Sequence, residues 1–369
     1  MDEEILDVIP IETKIPLTPT TPTQEWIDEW SRQLFVKVKT AAITGWGEIL
    51  PAAFNSPKIY SLFVTRFKDY VVGKQIEDIE NIWESLRKVV FSGGYGVLVG
   101  SISGIDIALW DIYAKLRKQY LGDIQGKKDI SIIRYASLSR YSTLKNLIKA
   151  CRNIVNEGFK SIKLHQTKND TLEAVRKFRE ELGYDVELMV DMNSSMKLEK
   201  AISFANEIQK YEVKWIEEPI WPPDDLFSLR EVNKIVPVAA GENFFSFHDF
   251  QNALHLEATT YFQPDVTKIG GITPTIRILN LLKGGKASLS FHNRPHNGWI
   301  GVFASIAAAH IVGIDAMIET PPNTIPSKYF NYGAMVNAQT IIPSGYGIGI
   351  EPIEPLPALS DEKILIFHD

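Results

Sequence analysis

Seven times along this chain a short apolar run stops at an ionisable residue, and the stops are almost evenly spaced. They fall at His165, Asp191, Glu217, Glu242, Asp265, His292 and Glu319, at intervals of 26, 26, 25, 23, 27 and 27 residues. Amphipathic stretches of helical period lie between them. Strands alternating with helices of about 10–15 residues indicate βαβ units on a parallel sheet. SIIRYAS (131–137) supplies an eighth run ahead of the series. Eight such units predict a closed (β/α)8 barrel of the TIM type. In that architecture the C-terminal strand ends converge on one face, where active sites are built. The seven side chains are therefore predicted to meet in one mouth.

The run GFKSIKLHQT (158–167) carries Lys163 and His165 two residues apart. Two residues is one side-chain repeat of a strand, so both point the same way, toward the ring of carboxylates. Asp191, Glu217 and Glu242 end three successive strands. Gathered together they repel, and a cation between them relieves the repulsion. All-oxygen ligands suit a hard divalent ion, with Mg2+ the expected choice. Asp265 and His292 end adjacent strands, and a carboxylate bonded to an imidazole orients it as a general acid/base. His296 follows in HNRPHNG (292–298) and is read either as a plain loop residue or as a substrate contact. The paired glycines of KIGGIT (268–273) are read as a tight turn rather than a phosphate loop. Trp46 and Trp110 are read as core, and Glu48 as facing either the mouth or solvent.

Residues 1–115 read differently. LFVKVKTAAITGWGEI (34–49) alternates as two strands around a turn, helical stretches follow at about 58–72 and 76–90, and ISGIDIALWDIYAKL (102–116) has the pattern of a buried helix. An α+β cap over residues 1–115 is expected, then the barrel over 116–335, then a segment over 336–369 that returns to the cap. The net charge of −6 and the lack of a Lys/Arg block argue against a nucleic-acid partner. With one cysteine, Cys151, neither an intrachain disulfide nor a cysteine zinc cluster can form. No apolar stretch of about 18 residues stands out along the chain, so no membrane partner is expected. The acidic start, MDEEILDVIP, lacks the pattern of a secretion signal, which places the expected setting in the cytoplasm.

The combination resembles the enolase superfamily, and within it the mandelate racemase subgroup. GWGE (45–48), SGIDIALWDIYAK (103–115), IKLH (162–165), VDMN (190–193), WIEEP (215–219), GEN (241–243), QPDVTKIGG (263–271), SFH (290–292) and IE (318–319) carry the likeness in the family's order. The resemblance implies that Asp191, Glu217 and Glu242 bind Mg2+, which grips a substrate carboxylate. It gives Glu319 a hydrogen bond to that carboxylate, and it sets Lys163 and His165 on the family's K-x-K motif opposite the His292–Asp265 dyad. Asn193, Lys268 and His296 are expected to complete the substrate contacts. The cap loops IPLTPTTPTQ (15–24) and PAAFNSP (51–57) are expected to choose the substrate. His165 stands where the family pattern has a second lysine.

The implied activity is that of a hydro-lyase, a sugar-acid dehydratase acting on an aldonate or aldarate. Such an enzyme removes the proton α to a carboxylate to form an enediolate, then expels the β-hydroxyl to leave a 2-keto-3-deoxy acid. The alternatives are a racemase, epimerase or cycloisomerase of the muconate-lactonizing type, with Lys268 as the opposite base, or a barrel that has lost catalysis. Family habit implies a homo-oligomer.

Overall fold

The structure is a computed structural model and describes residues 3–16, 28–53, 56–166, 170–294, 298–322 and 325–359. It opens with three antiparallel strands, β1 (Asp7–Lys14), β2 (Arg32–Lys39) and β3 (Thr44–Ile49), in the order β1–β2–β3. Three helices follow: α1 (Pro57–Val71), α2 (Ile79–Val89) and α3 (Val97–Leu116). The expected hairpin is present, and β1 joins it as a third strand with Asp7 opposite Lys39. A Cβ on Gly47 would lie 1.9 Å from the Gly104 carbonyl oxygen, so β3 and α3 touch backbone to backbone. That contact explains the small residues of GWGE and of α3.

One expectation is overturned. Helix α3 is 20 residues long and apolar enough to cross a membrane by length and composition. It begins five residues before the run read from the sequence and keeps its apolar character through Val97–Ser101. Most of it is nevertheless buried inside the protein, packed against β3 on one side and α1 and α2 on the others. Two buried carboxylates, Asp106 and Asp111, sit within it and are hydrogen-bonded to protein groups.

The barrel strands are β4 (Ile132–Leu138), β5 (Ser161–Leu164), β6 (Glu187–Asp191), β7 (Trp215–Glu217), β8 (Val238–Ala240), β9 (Tyr261–Phe262), β10 (Ser288–Phe291) and β11 (Ala316–Thr320). They are parallel and close in the order β4-β5-β6-β7-β8-β9-β10-β11, with β11 pairing back to β4. The intervening helices are α4 (Leu144–Asn156), α5 (Thr171–Leu182), α6 (Leu198–Ile208), α7 (Leu226–Asn233), α8 (Phe247–His255), α9 (Ile272–Leu282) and α10 (Trp299–Val312). Helix α4 shows why they form. Thr143 accepts from the Asn146 N–H to cap it, and Leu147, Ile148, Cys151 and Ile154 make its buried stripe. Each such side chain contributes about 1.5–3 kcal/mol on burial. Tyr135, Met189, Trp215, Ala239 and Met317 plug the barrel from within and form the floor of the mouth.

No helix follows β11 among the described residues. The chain instead makes β12 (Phe330–Tyr332), β13 (Ala334–Val336), β14 (Ile341–Pro343) and β15 (Ile350–Pro352), pairing β12 with β15 and β13 with β14. It then returns to the cap as expected: Ala358 bridges Thr13, and the Thr13 hydroxyl donates to the Pro357 carbonyl at 2.5 Å.

Buried carboxylates of the cap hold it to the barrel. Asp106 accepts from the N–H and hydroxyl of Thr273, at 2.9 and 2.6 Å, in the first turn of α9. Glu48 faces neither the mouth nor solvent. It is buried and accepts from the Gly301 N–H at 2.8 Å at the start of α10, where orphan N–H groups and the helix dipole favour a carboxylate. Burial still pushes Glu48 up to about 8, partly offset by that bond. Trp110 is half-buried and donates to the Thr273 hydroxyl at 2.9 Å. Gly270 and Gly271 both have φ near +100° and form the turn into α9 that KIGGIT suggested.

Candidate active site

The C-terminal ends of the barrel strands enclose a cavity of about 500 Å³ lined by Ser139, Arg140, His165, Asp191, Asn193, Glu242, Asn243, Lys268, His292, Arg294 and Glu319, with Trp30, Leu50 and Ala52 of the cap. Glu217 and Lys163 lie beneath it, fully buried. The strand-end series therefore does converge. His296 lies outside the described residues, as do residues 17–24 of the Pro/Thr loop and residues 54 and 55 of the second cap loop.

Lys163 is the hub of the floor. Its Nζ is 2.5 Å from Glu217 Oε1, 2.8 Å from Glu319 Oε1 and 3.6 Å from Asp191 Oδ2. Burial works against its charge, but these carboxylates overcome it and hold the ammonium well above its ordinary range. Glu217 Oε2 also accepts from Trp215 Nε1 at 3.1 Å and Gln263 Nε2 at 2.7 Å. Burial nevertheless drives the Glu217 carboxyl upward, with Asp191, Glu319 and Glu242 adding to the push and Lys163 opposing it.

The two histidines approach from different walls and are held differently. His165 Nδ1 is 2.6 Å from the Leu138 carbonyl oxygen, and Nε2 is 3.0 Å from Asp191 Oδ2. A carbonyl only accepts, so Nδ1 carries a proton, and Nε2 is the nitrogen turned toward Asp191. His292 Nδ1 meets Asp265 Oδ2 at 2.7 Å, and Nε2 meets Glu242 Oε2 at 2.7 Å. Asp265 is itself fixed by Thr267, whose N–H and hydroxyl donate to Oδ1 at 2.8 and 2.5 Å. Burial opposes a charged His292, yet Glu242 and Asp265 raise its pKa well above the ordinary value. Glu242 is correspondingly held low: burial acts against its charge, and His292, Lys268 and Lys163 outweigh it. Glu319 Oε2 accepts from the Asn293 N–H at 3.3 Å. Asn193 has φ +44° and donates its N–H to Asp191 Oδ1 at 2.8 Å. Lys268 Nζ donates to Asn243 Oδ1 at 3.2 Å.

As the side chains are placed, no three His, Cys, Asp or Glu groups among the described residues converge tightly enough to hold a metal ion. Each carboxylate of the trio instead meets a protein cation, Lys163 on Asp191 and Glu217 and His292 on Glu242, and His165 Nε2 lies beside Asp191. The donor set still fits a hard divalent cation. It is all oxygen and sits on neighbouring strands, with Asp191 in register with Glu217. Asp191 and Glu242 add to the upward push that burial exerts on Glu217, and beside them Glu218 Oε1 is buried with no donor.

The strand-end pattern missed Arg140 and Arg294, which line the same cavity. It also missed Glu218, which accepts from Ser194 Oγ at 3.0 Å and Asn243 Nδ2 at 2.7 Å. The signal for Arg294 was present: it follows His292 by two, as His165 follows Lys163.

Two family models match the chain. "Mandelate racemase / muconate lactonizing enzyme, N-terminal domain" covers residues 10–126, and "Enolase C-terminal domain-like" covers residues 146–356. A D-galactonate dehydratase from Klebsiella pneumoniae is 26% identical over 82% of this chain and 81% of its own length. A 3,6-anhydro-alpha-L-galactonate cycloisomerase from Streptomyces coelicolor is 28% identical over 75% of this chain and 80% of its own. Among solved structures, a racemase from Streptomyces coelicolor A3(2) with bound magnesium superposes with a TM-score of 0.82 at 24% identity, covering 94% of this chain and 97% of that one.

Proposed function

The chain belongs to the mandelate racemase/muconate lactonizing enzyme family of the enolase superfamily, and on that footing we propose that it is a hydro-lyase that dehydrates a sugar acid. The observation that carries this reading is the asymmetry of its two histidines. His165 is oriented by a neutral group, the Leu138 carbonyl, whereas His292 is oriented by the Asp265 carboxylate. Elimination of water needs one group to take a proton and another to give one. Racemisation calls for two groups on opposite faces of the α-carbon that each take and give a proton, whereas His292 is held between two carboxylates that favour keeping its proton. Relatives named for galactonate and anhydrogalactonate chemistry support a sugar-acid substrate.

Asp191, Glu217 and Glu242 would hold the cation, Mg2+ by the chemistry of the donors. When bound, the ion supplies electrostatic stabilisation of the charge that develops on the substrate carboxylate. Lys163, clamped between Glu217 and Glu319, keeps a fixed positive charge beneath that carboxylate. His165 Nε2 takes the α-proton, and the C–H electron pair becomes the enediolate. His292 gives its Nε2 proton to the β-hydroxyl, the C–O bond breaks and water leaves. The enol that remains tautomerises to a 2-keto-3-deoxy acid, with no net oxidation. Glu319 and Asn193 orient the carboxylate end.

Lys268 favours a second reading. Its Nζ lines the cavity with Asn243 as its hydrogen-bond partner, so it is placed to serve as the base opposite His165 in a racemase or cycloisomerase. A panel of sugar mono- and di-acids incubated with Mg2+, with and without EDTA, separates the two. Metal-dependent 2-keto acid that disappears in His292→Asn supports dehydration. An epimer or ring-opened isomer without keto acid, lost in Lys268→Met, supports the second reading.

A further inference from the structure

Lys163 and His292 are paired with carboxylates, whereas three cations that line the cavity, Lys268, Arg140 and Arg294, are not, and of these Lys268 is held by Asn243. Arg140, just beyond β4, donates its Nε to the His165 carbonyl at 3.3 Å and is otherwise exposed. Arg294 is half-buried, its guanidinium carbon lies 5.8 Å from the centre of the Trp30 ring, and its Nη1 is buried with no hydrogen-bond partner. Neither forms an ion pair among the described residues. The carboxylates within electrostatic reach of Arg294 are Glu242 and Asp265, and both are already bonded to His292.

Position says which part of a ligand would meet these groups. Arg294 is two residues past His292, so its backbone lies at most about 7 Å further along the chain. It lines the cavity with Leu50 and Ala52 of the cap. Lys163, Glu217 and Glu319 mark its buried end. A guanidinium presents parallel N–H donors in a fixed fork, the geometry that matches a carboxylate. Leaving such a group desolvated and unpaired is costly, and burial already drives the Arg294 guanidinium down from its usual range.

We propose that Arg294, assisted by Arg140, binds a second carboxylate at the far end of the substrate, so that the acid is a dicarboxylic sugar acid, an aldarate, rather than an aldonate. The assignment rests on the cavity being the sugar-acid site described above. It makes Arg294 a specificity residue: it selects the chain end and leaves the proton transfers to the histidines.

Calorimetric titration of the Mg2+-loaded protein with matched pairs tests this without requiring turnover. The probes are galactarate against galactonate, glucarate against gluconate, and 6-phosphogluconate for a terminal phosphate. The diacid of at least one pair is expected to bind more than about tenfold tighter than its mono-acid. Arg294→Met should weaken the diacid about 100-fold while changing the mono-acid less than about threefold. Arg294→Lys, which keeps the charge but not the fork, should fall between. Circular dichroism on both variants checks that they fold. Equal binding of diacid and mono-acid by the wild type, or equal weakening of both in Arg294→Met, overturns the proposal. Tighter binding of 6-phosphogluconate overturns the carboxylate in favour of a phosphate. Parallel keto-acid assays separate this failure from that of the dehydratase reading. Keto acid from mono-acids alone refutes the diacid assignment only, and diacid binding without keto acid refutes dehydration only.

Discussion

Asp265→Asn separates the two proton transfers, and the structure dictates how. Asp265 Oδ1 takes two donors from Thr267, one of them a backbone N–H that can only donate, and Oδ2 faces His292 Nδ1 at 2.7 Å. An asparagine of nearly the same shape must turn its oxygen toward that N–H, which turns its NH2 group toward His292. Nδ1 must then accept, the ring proton moves to Nε2, and the imidazolium loses the carboxylate that stabilises it. A positioned general acid is worth about 10²–10⁴-fold. A 10³-fold fall in dehydration, about 4 kcal/mol of barrier, is therefore expected. His165 is untouched, so α-proton exchange should persist within about threefold. Keto-acid formation and deuterium uptake at the α-carbon in D2O, followed by NMR on the same samples, measure the two steps. A common fall in both would show that His292 takes the α-proton as well. Unchanged dehydration would show that the dyad is not the acid.

Mg2+ at about 100 times its Kd should stabilise the fold by about 2.7 kcal/mol, seen as a rise in Tm, and Asp191→Asn or Glu217→Gln should remove the rise; an undiminished rise would place the cation elsewhere. Gly47→Ala should cost about 3 kcal/mol in urea unfolding, because its Cβ would stand 1.9 Å from the Gly104 oxygen and force β3 off α3; a wild-type midpoint would contradict the close contact. Glu48, raised from 4.5 to about 8 chiefly by burial, contributes stability that is fully present below about pH 4.5 and lost as pH rises through about 8. Unfolding of Glu48→Gln across that window should show a flatter decline than wild type, by up to about 1.4 kcal/mol per pH unit, and parallel profiles would refute the raised pKa of Glu48.

The barrel and its mouth were legible because closing a parallel sheet imposes one repeat length, and each repeat brings one strand end to the same face. The strand-parity rule that paired Lys163 with His165 was equally sound, and applied once more it reaches Arg294 from His292. Arg140 was harder to see. Strand β4 carries Leu138 at the interval position, and its polar groups, Ser139 and Arg140, arrive one and two residues later. Glu48 escaped for a different reason. Alternation assumes one dry face and one wet face, but α3 covers one face of β3 and the start of α10 meets the other, through a bond spanning 253 residues. No local pattern encodes such a contact. The same limit applies to the carboxylate trio: residue type and spacing identify possible cation ligands, whereas the contacts with Lys163, His165 and His292 depend on side-chain positions that only the folded barrel sets. Those pairs link the cation site to both histidines. A group that binds Asp191 and Glu242 must compete with His165 Nε2 and His292 Nε2, the two atoms assigned to proton transfer, so cation affinity and the protonation of the histidines are coupled by shared oxygens.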